Sequence, residues 1–244
     1  MAKTVLELDS VAKAYGKQVV LSKVDLVVDE GEFFGLVGVN GAGKTTLIKG
    51  MLDFCGIDDG TIEFFGITHR DTKARSRLAF LPERFVPPYF LRGKDFLLYM
   101  CKLHSVKYDR DKVNQLFSAI DLDPSALSKP VREYSKGMAQ KLGLAACILS
   151  EKALFILDEP MSGLDPKARA QFKHLLLGLK ESQHTIFFST HLLADVDALC
   201  DRMAILHDGE LRFVGSPTEC CQHYGVDDLE QAYLACVTSK TPVH

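Results

Sequence analysis

The sequence predicts an α/β fold with three parts: a parallel sheet built around one phosphate-binding loop, an antiparallel β layer, and an inserted helical subdomain. Three observations carry this. An apolar run from Phe33 to Val37 passes through a glycine-rich turn into a helical pattern over Leu47 to Leu52. A second run, Ala153 to Leu157, has the unbroken hydrophobicity of a parallel strand buried on both faces. Between them, from Pro82 onward, Pro82, Pro87 and Pro88 break the pattern and helical periodicity takes over. A length of 244 residues suits one large α/β domain, or one domain with an insertion.

Gly38 to Thr45 reads G-V-N-G-A-G-K-T, with Thr46 next, and fits the phosphate-loop pattern G-x-x-x-x-G-K-[ST] between the strand and helix that it requires. Gly38, Gly41 and Gly43 are expected at positive φ, so that the backbone through Val39, Asn40 and Ala42 wraps a polyphosphate and turns its N–H groups inward. Lys44 then reaches the β/γ-phosphates. Thr45 offers a hydroxyl to Mg²⁺, and the helix that follows points its positive dipole end at the same anion.

Taken in order, Val5 to Leu8 and Lys23 to Val28 alternate like half-buried strands, with Tyr15-Gly16-Lys17 turning between them. The loop helix runs to about Cys55-Gly56. Asp59-Gly60 introduces a strand over Thr61 to Phe65, closed by Gly66, and Arg77 to Leu81 is another. Asp95 to His104 fits a helix. Asp109 caps a second, whose Val113, Leu116, Phe117 and Ile120 share one face. After Ala153 to Leu157, Asp165 and Pro166 start a helix with an apolar stripe of Phe172, Leu175, Leu176 and Leu179. Thr185 to Ser189 reads as a buried strand and Leu192 to Cys200 as a helix. Arg202 to His207 is a strand joined through Asp208-Gly209 to Glu210–Val214, and the tail from Pro217 holds one short helix, near Asp228 to Cys236. Segments 1–82 and 150–216 are thus expected to form the core and β layer, 83–149 the helical subdomain, and 217–244 a C-terminal extension.

Composition narrows the partners. The net charge is −3 and no long basic stripe occurs, which argues against nucleic acid as the main ligand. Seven cysteines show no C-x-x-C pair and no zinc spacing, so reduced, buried thiols in a cytosolic protein are expected. The first residues carry acidic side chains where a signal peptide needs an apolar core. No window approaches eighteen uncharged apolar residues, so no membrane span is expected.

The run Ala153 to Leu157 ends in Asp158-Glu159, at the strand end where a doubly wound sheet places its ligand chemistry. Asp158 would hold Mg²⁺ through a water, and Glu159 would accept a proton from the water attacking a γ-phosphate. Alone, the pair reads equally well as a helix cap or a surface turn. With the phosphate loop it reads as a site.

Upstream of it, Tyr134-Ser135-Lys136-Gly137-Met138 resembles the L-S-G-G-Q signature of ATP-binding cassette (ABC) ATPases. The resemblance runs from Val5 to about Gly215. It makes Ser162-Gly163-Leu164-Asp165 the D-loop, His191 the switch histidine that contacts the γ-phosphate, and Tyr15 the aromatic that stacks on adenine. Lys136 stands for a glycine and Met138 for a glutamine, with Gln140 two residues on, while Ser135 and Gly137 are kept. Ser135 can cap the helix from Gly137 to Leu149 and so aim hydroxyl, N–H groups and dipole at a γ-phosphate held on a second molecule. Glu83 occupies the place of the Q-loop glutamine and is a third metal candidate beside Thr45 and Asp158.

The resemblance implies a RecA-like P-loop NTPase core and hydrolysis of ATP with Mg²⁺ between two head-to-tail cassettes. It also implies a separate integral membrane permease and a peripheral position on the cytoplasmic face of the membrane. The Y-S-K-G-M form is similar to cassettes of bacterial exporters, which leans the reading toward export. Phe85 to Leu91 is either subdomain core or a docking face for the permease. Two alternatives stay open: a soluble ABC ATPase acting on ribosomes or DNA, and a nucleotide-gated module that does not turn over. The absence of heptads and of a second cassette argues against the first, Glu159 and His191 against the second.

Overall fold

In this computed structural model residues 3–239 are described; residues 1–2 and 240–244, the last of which end the expected extension, lie outside the described residues. The chain opens with the hairpin β1 (Thr4–Tyr15) and β2 (Gln18–Asp29), followed by β3 (Phe33–Val37) and α1 (Lys44–Met51). Next come β4 (Asp59–Phe64), β5 (Ile67–Thr68), α2 (Thr72–Arg75) and β6 (Leu78–Leu81). The helical stretch holds α3 (Gly93–Leu103), α4 (Arg110–Ala119) and α5 (Lys136–Leu149), with two short 3₁₀ turns before α5. The chain then returns to the sheet with β7 (Leu154–Leu157), α6 (Pro166–Glu181), β8 (Thr185–Thr190), α7 (Leu193–Leu199), β9 (Arg202–His207) and β10 (Glu210–Gly215), and ends in α8 (Pro217–Tyr224) and α9 (Leu229–Thr238).

One sheet is antiparallel, in the order β2-β1-β4-β5; the other runs β10-β9-β3-β8-β7-β6 and is parallel except at β10. The period of two along each parallel strand sorts its side chains between two cores. Phe33, Phe155, Leu157, Ile186 and Phe188 face α3–α6, whereas Phe34, Leu36, Leu154, Ile156 and Phe187 face α1 and the antiparallel sheet. Phe34 stacks on Phe187 with centroids 5.8 Å apart. Because Phe96, Val113, Phe117 and Leu142 join the same apolar cluster as Leu81 and Phe155, the helical stretch shares a core with the sheet.

The expected order of elements is present, with three corrections. β1 and β2 extend well beyond their apolar alternation, because irregular pairings near Val11 and Lys13, with Ser10 and Lys23 at positive φ, carry the ladder through polar residues. The loop helix ends at Met51, before Cys55, since Asp53 at φ 60° turns the chain out of it. The extension holds two helices: Ser216 and Glu219 form a capping box with Pro217 at the first turn, a start signal that begins α8 ahead of the expected α9.

β3 runs between β8 and β9, and α7 approaches it so closely that a Cβ on Gly35 would lie 2.6 Å from the Cys200 Sγ and 3.5 Å from Val196 Cγ2. Gly35→Ala should therefore lower the unfolding free energy by about 1–3 kcal/mol through overpacking. Adding Cys200→Ala should return part of that loss in denaturant titrations. Losses that simply add would place the strain elsewhere.

Candidate nucleotide site

β3, β8, β7 and β6 are parallel neighbours, so the residues after each strand emerge at one edge of the sheet. After β3 comes the phosphate loop, after β8 His191, after β7 Asp158 and Glu159, and after β6 Glu83. Four separated stretches meet at one place. Asn40, Gly41, Gly43, Lys44, Thr45, Thr46, Glu83, Glu159, Ser162 and His191, with Val20, line an open cavity of about 360 Å³.

Gly41 and Gly43 have φ of 89° and 111°, as the loop requires. Gly38 is different: it is not at positive φ, and glycine is needed because a Cβ would lie 2.5 Å from the Leu206 carbonyl oxygen. Gly38, Val39 and Ala42 do not line the cavity; they form the back of the loop. α1 starts with no side-chain cap and no acidic residue in its first turn, leaving its N–H groups to an anion. Lys44 is buried, and its Nζ donates to the Gly38 carbonyl at 2.6 Å and the Val39 carbonyl at 3.3 Å while sitting 3.2 Å from Glu159 Oε1.

The two carboxylates after β7 diverge because Glu159 takes a left-handed backbone, φ 45°. Its N–H donates to Ser189 Oγ at 2.9 Å, and that hydroxyl donates to Asp158 Oδ1 at 2.6 Å. Glu159 Oε2 accepts from His191 Nδ1 at 2.8 Å, which leaves Nε2 of that ring free to face the cavity. Burial raises the Asp158 carboxyl above its ordinary range; hydrogen bonds from Ser189 and Thr45 oppose the rise, and the charges of Glu159 and Glu83 add to it. Glu83 Oε1 accepts from Ser162 Oγ at 3.4 Å, tying the turn after β6 to the turn after β7.

This set fits a hydrated divalent cation with a polyphosphate. The buried Glu159 Oε1 has the Lys44 ammonium as its one neighbour of opposite charge, the Asp158 carboxyl feels the charges of Glu159 and Glu83, and the Thr45 hydroxyl stands beside Asp158, all hard oxygen donors. Among the described residues no three His, Cys, Asp or Glu side chains form a metal cage of their own, so the remaining oxygens must come from phosphate and water.

Ser135 and Gly137 lie elsewhere, in a second depression of about 300 Å³ with Lys136, Gly163, Leu164 and Asp165. Ser135 caps α5, accepting from the Met138 N–H at 3.2 Å. Lys141, buried on the same helix, donates to the Asp121 carbonyl and to Gln171 Oε1, fixing α5 against α6. Tyr15, half exposed at the hairpin tip, is outside the cavity wall; Lys13 Nζ lies 5.3 Å from its ring centroid and is held by Asp58 at 2.8 Å. The aromatic run divides: Phe85 packs edge-on against Phe96 in the core, whereas Val86, Tyr89 and Phe90 are each about 70% exposed. Sequence reasoning missed Ser189, whose only signal is a hydroxyl near the end of a buried strand beside Thr190-His191.

A family model described as ABC transporter matches residues 21–162. An uncharacterized ABC transporter ATP-binding protein of Synechocystis is 41% identical over 204 residues, covering 82% of this chain and 57% of the relative. The Nod factor export ATP-binding protein of Sinorhizobium fredii is 34% identical over 217 residues, covering 87% of this chain and 63% of the relative. The chain thus spans about 60% of the length of these curated relatives. A solved ATP-binding subunit of an ABC transporter superposes with a TM-score of 0.83 at 30% identity, covering 95% of this chain and 99% of that one. Among the described residues no helix is long and apolar enough to cross a membrane.

Since the Asp158 carboxyl titrates higher in the folded chain than in the unfolded one, its ionisation opposes folding. The penalty is absent below the unfolded value and complete once pH has risen past the folded one. Asp158→Asn keeps an oxygen for Ser189 and should raise nucleotide-free stability by about 1 kcal/mol at pH 7. The gain should vanish near pH 3. Denaturant titrations showing a less stable variant at pH 7 would make the carboxylate a net stabiliser.

Proposed function

The chain belongs to the ABC transporter family as an ATP-binding subunit, and from that premise we propose that it hydrolyses MgATP to drive a separate membrane permease in export. One observation carries the reading: Lys44, Thr45, Glu159 and His191 meet at one cavity, while Ser135 and Gly137 occupy another depression. A single chain therefore holds half of each kind of contact, and two chains placed head to tail would complete two sites.

In this reading the loop N–H groups and Lys44 bind the β/γ-phosphates, and the α1 dipole adds to their field. Thr45, Asp158 and Glu83 would hold Mg²⁺, which when bound neutralises phosphate charge. Glu159 takes a proton from the attacking water, and His191, fixed by that carboxylate, presents its second ring nitrogen to the γ-phosphate. Ser135 and Gly137 of the second cassette close over the same phosphate, and Tyr15 stacks on the base. The exposed Val86, Tyr89 and Phe90, beside the turn that carries Glu83, form the face offered to the permease at the cytoplasmic side of the membrane. Direction is supported by the similarity to the Nod factor export relative.

Lys44→Ala should abolish turnover, and Glu159→Gln should retain ATP binding, stop hydrolysis and accumulate a dimer. Light scattering with MgATP reads the mass. A Glu159→Gln protein that stays monomeric and still releases phosphate would overturn both the base and the shared site.

Glu83 supplies a charged oxygen where the family has an amide, and Mg²⁺ binds carboxylates more strongly than carbonyls. Glu83→Gln should raise the Mg²⁺ concentration for half-maximal turnover by about 3- to 10-fold, with metal-free ATP binding unchanged. Superimposed Mg²⁺ titrations of the two proteins would remove Glu83 from the metal site.

A further inference from the structure

Asp195 is a buried carboxylate to which the mechanism above gives no part. It lies in the first turn of α7 with 1% of its surface exposed. Each of its oxygens takes a cation from α6: Oδ2 accepts from Arg169 Nη2 at 2.9 Å, and Oδ1 lies 2.8 Å from Lys173 Nζ. Lys173 also donates to the Ala194 carbonyl at 3.1 Å, so the side chain and the backbone of this turn are gripped from the same helix. Arg169 and Lys173 stand four residues apart on one face of α6, which lets both reach a single carboxylate. α6 is a firm anchor. Its Phe172 and Leu176 are buried in the core shared with the sheet, and Gln171 Oε1 accepts from Lys141 Nζ of α5 at 2.9 Å.

We propose that Asp195 is a positioning residue of the nucleotide site: clamped by Arg169 and Lys173, it fixes the turn that aims His191 at the γ-phosphate. Asp195 lies outside the cavity wall and follows His191 by four residues, so its action passes through the histidine. The start of α7 has little else to hold it. It has no side-chain cap, Ala194 is exposed, and Leu192 and Leu193 are only half-buried; besides the clamp, the Leu192 N–H donates to Thr190 Oγ1 at 3.1 Å. Glu159 fixes the ring of His191 at Nδ1, and the clamp fixes the backbone from which that ring is delivered. Because α6 begins directly after the turn that carries Ser162, movement of that turn reaches the histidine through the same contacts. The proposal rests on the reading of the cavity as an ATP site.

Asp195→Asn would leave two cations without a counter-charge and risk the fold, so the test is made on Lys173, which is partly exposed. Lys173→Met keeps the packing of the stem and removes the ammonium. At a temperature where this variant is fully folded, kcat per ATP-binding site should fall by about 5- to 20-fold with KM within about twofold, because a misplaced histidine costs the transition state more than it costs substrate binding. Lys173→Arg keeps a cation in reach of the carboxylate and should restore most of that loss. A second reading needs no nucleotide. Above the pH at which the His191 ring titrates, its two nitrogen resonances in NMR should report one fixed tautomer in the wild type; in Lys173→Met they should move toward each other as the ring leaves Glu159 and its tautomers average. An unchanged kcat, ring resonances identical in the two proteins, or a loss that Lys173→Arg fails to restore overturns the proposal. Wild-type protein that releases no phosphate overturns the functional reading instead, and the ring resonances then still decide whether the clamp holds His191.

Discussion

The ion pair between Lys44 and Glu159, 3.2 Å apart and almost wholly buried, is the contact on which the nucleotide site depends. It joins the end of β3 to the end of β7 across β8, which lies between them. A buried cation needs compensation, and here it comes from one carboxylate and two loop carbonyls. The same carboxylate orients His191, so three strand ends are coupled through two charged side chains and a ring. An anion entering the cavity meets a lysine already held in place, with no side chain to displace from the α1 N-terminus.

What could be read from the sequence was whatever is written locally. The phosphate loop, Asp158-Glu159 and the Ser135 cap are contiguous patterns bounded by the strands and helices that position them, and the structure puts each where its pattern implies. The parallel character of the central strands followed from the apolar runs, since only strands buried on both faces read as Phe33–Val37 or Ala153–Leu157 do, whereas their order in the sheet is set by pairings between distant segments. Ser189 was invisible for the opposite reason. Its hydrogen bonds join residues that the fold brings together, and a serine in a strand has no spacing that announces a partner. Gly38 was recognised for the wrong cause: the loop pattern suggests torsional freedom, and the actual demand is room for the backbone of Leu206. The start of α8 was legible in Ser216-Pro217-Thr218-Glu219, but its helix has little apolar periodicity to support it.

The helical stretch and the sheet share side chains in one cluster, so α5, which carries Ser135, rests directly on β6 and β7. A shift of Glu83 at the end of β6 is therefore transmitted through packed apolar contacts as well as through its bond to Ser162. The proposed permease face, the metal candidate and the turn before α6 are neighbours in one connected region. Closure around a phosphate and movement at Val86, Tyr89 and Phe90 then belong to the same mechanical element.

Glu159 occupies a backbone conformation that side chains other than glycine, asparagine and aspartate avoid, at a cost of about 1 kcal/mol or more. A glycine there would relax the turn and leave Ser189 its N–H partner. That glycine would also strip the buried Lys44 ammonium of its one carboxylate, a loss of about 3–5 kcal/mol that outweighs the strain relieved. The turn therefore keeps its glutamate even under selection for heat resistance alone, and a stabilised descendant that has lost it should have lost Lys44 as well.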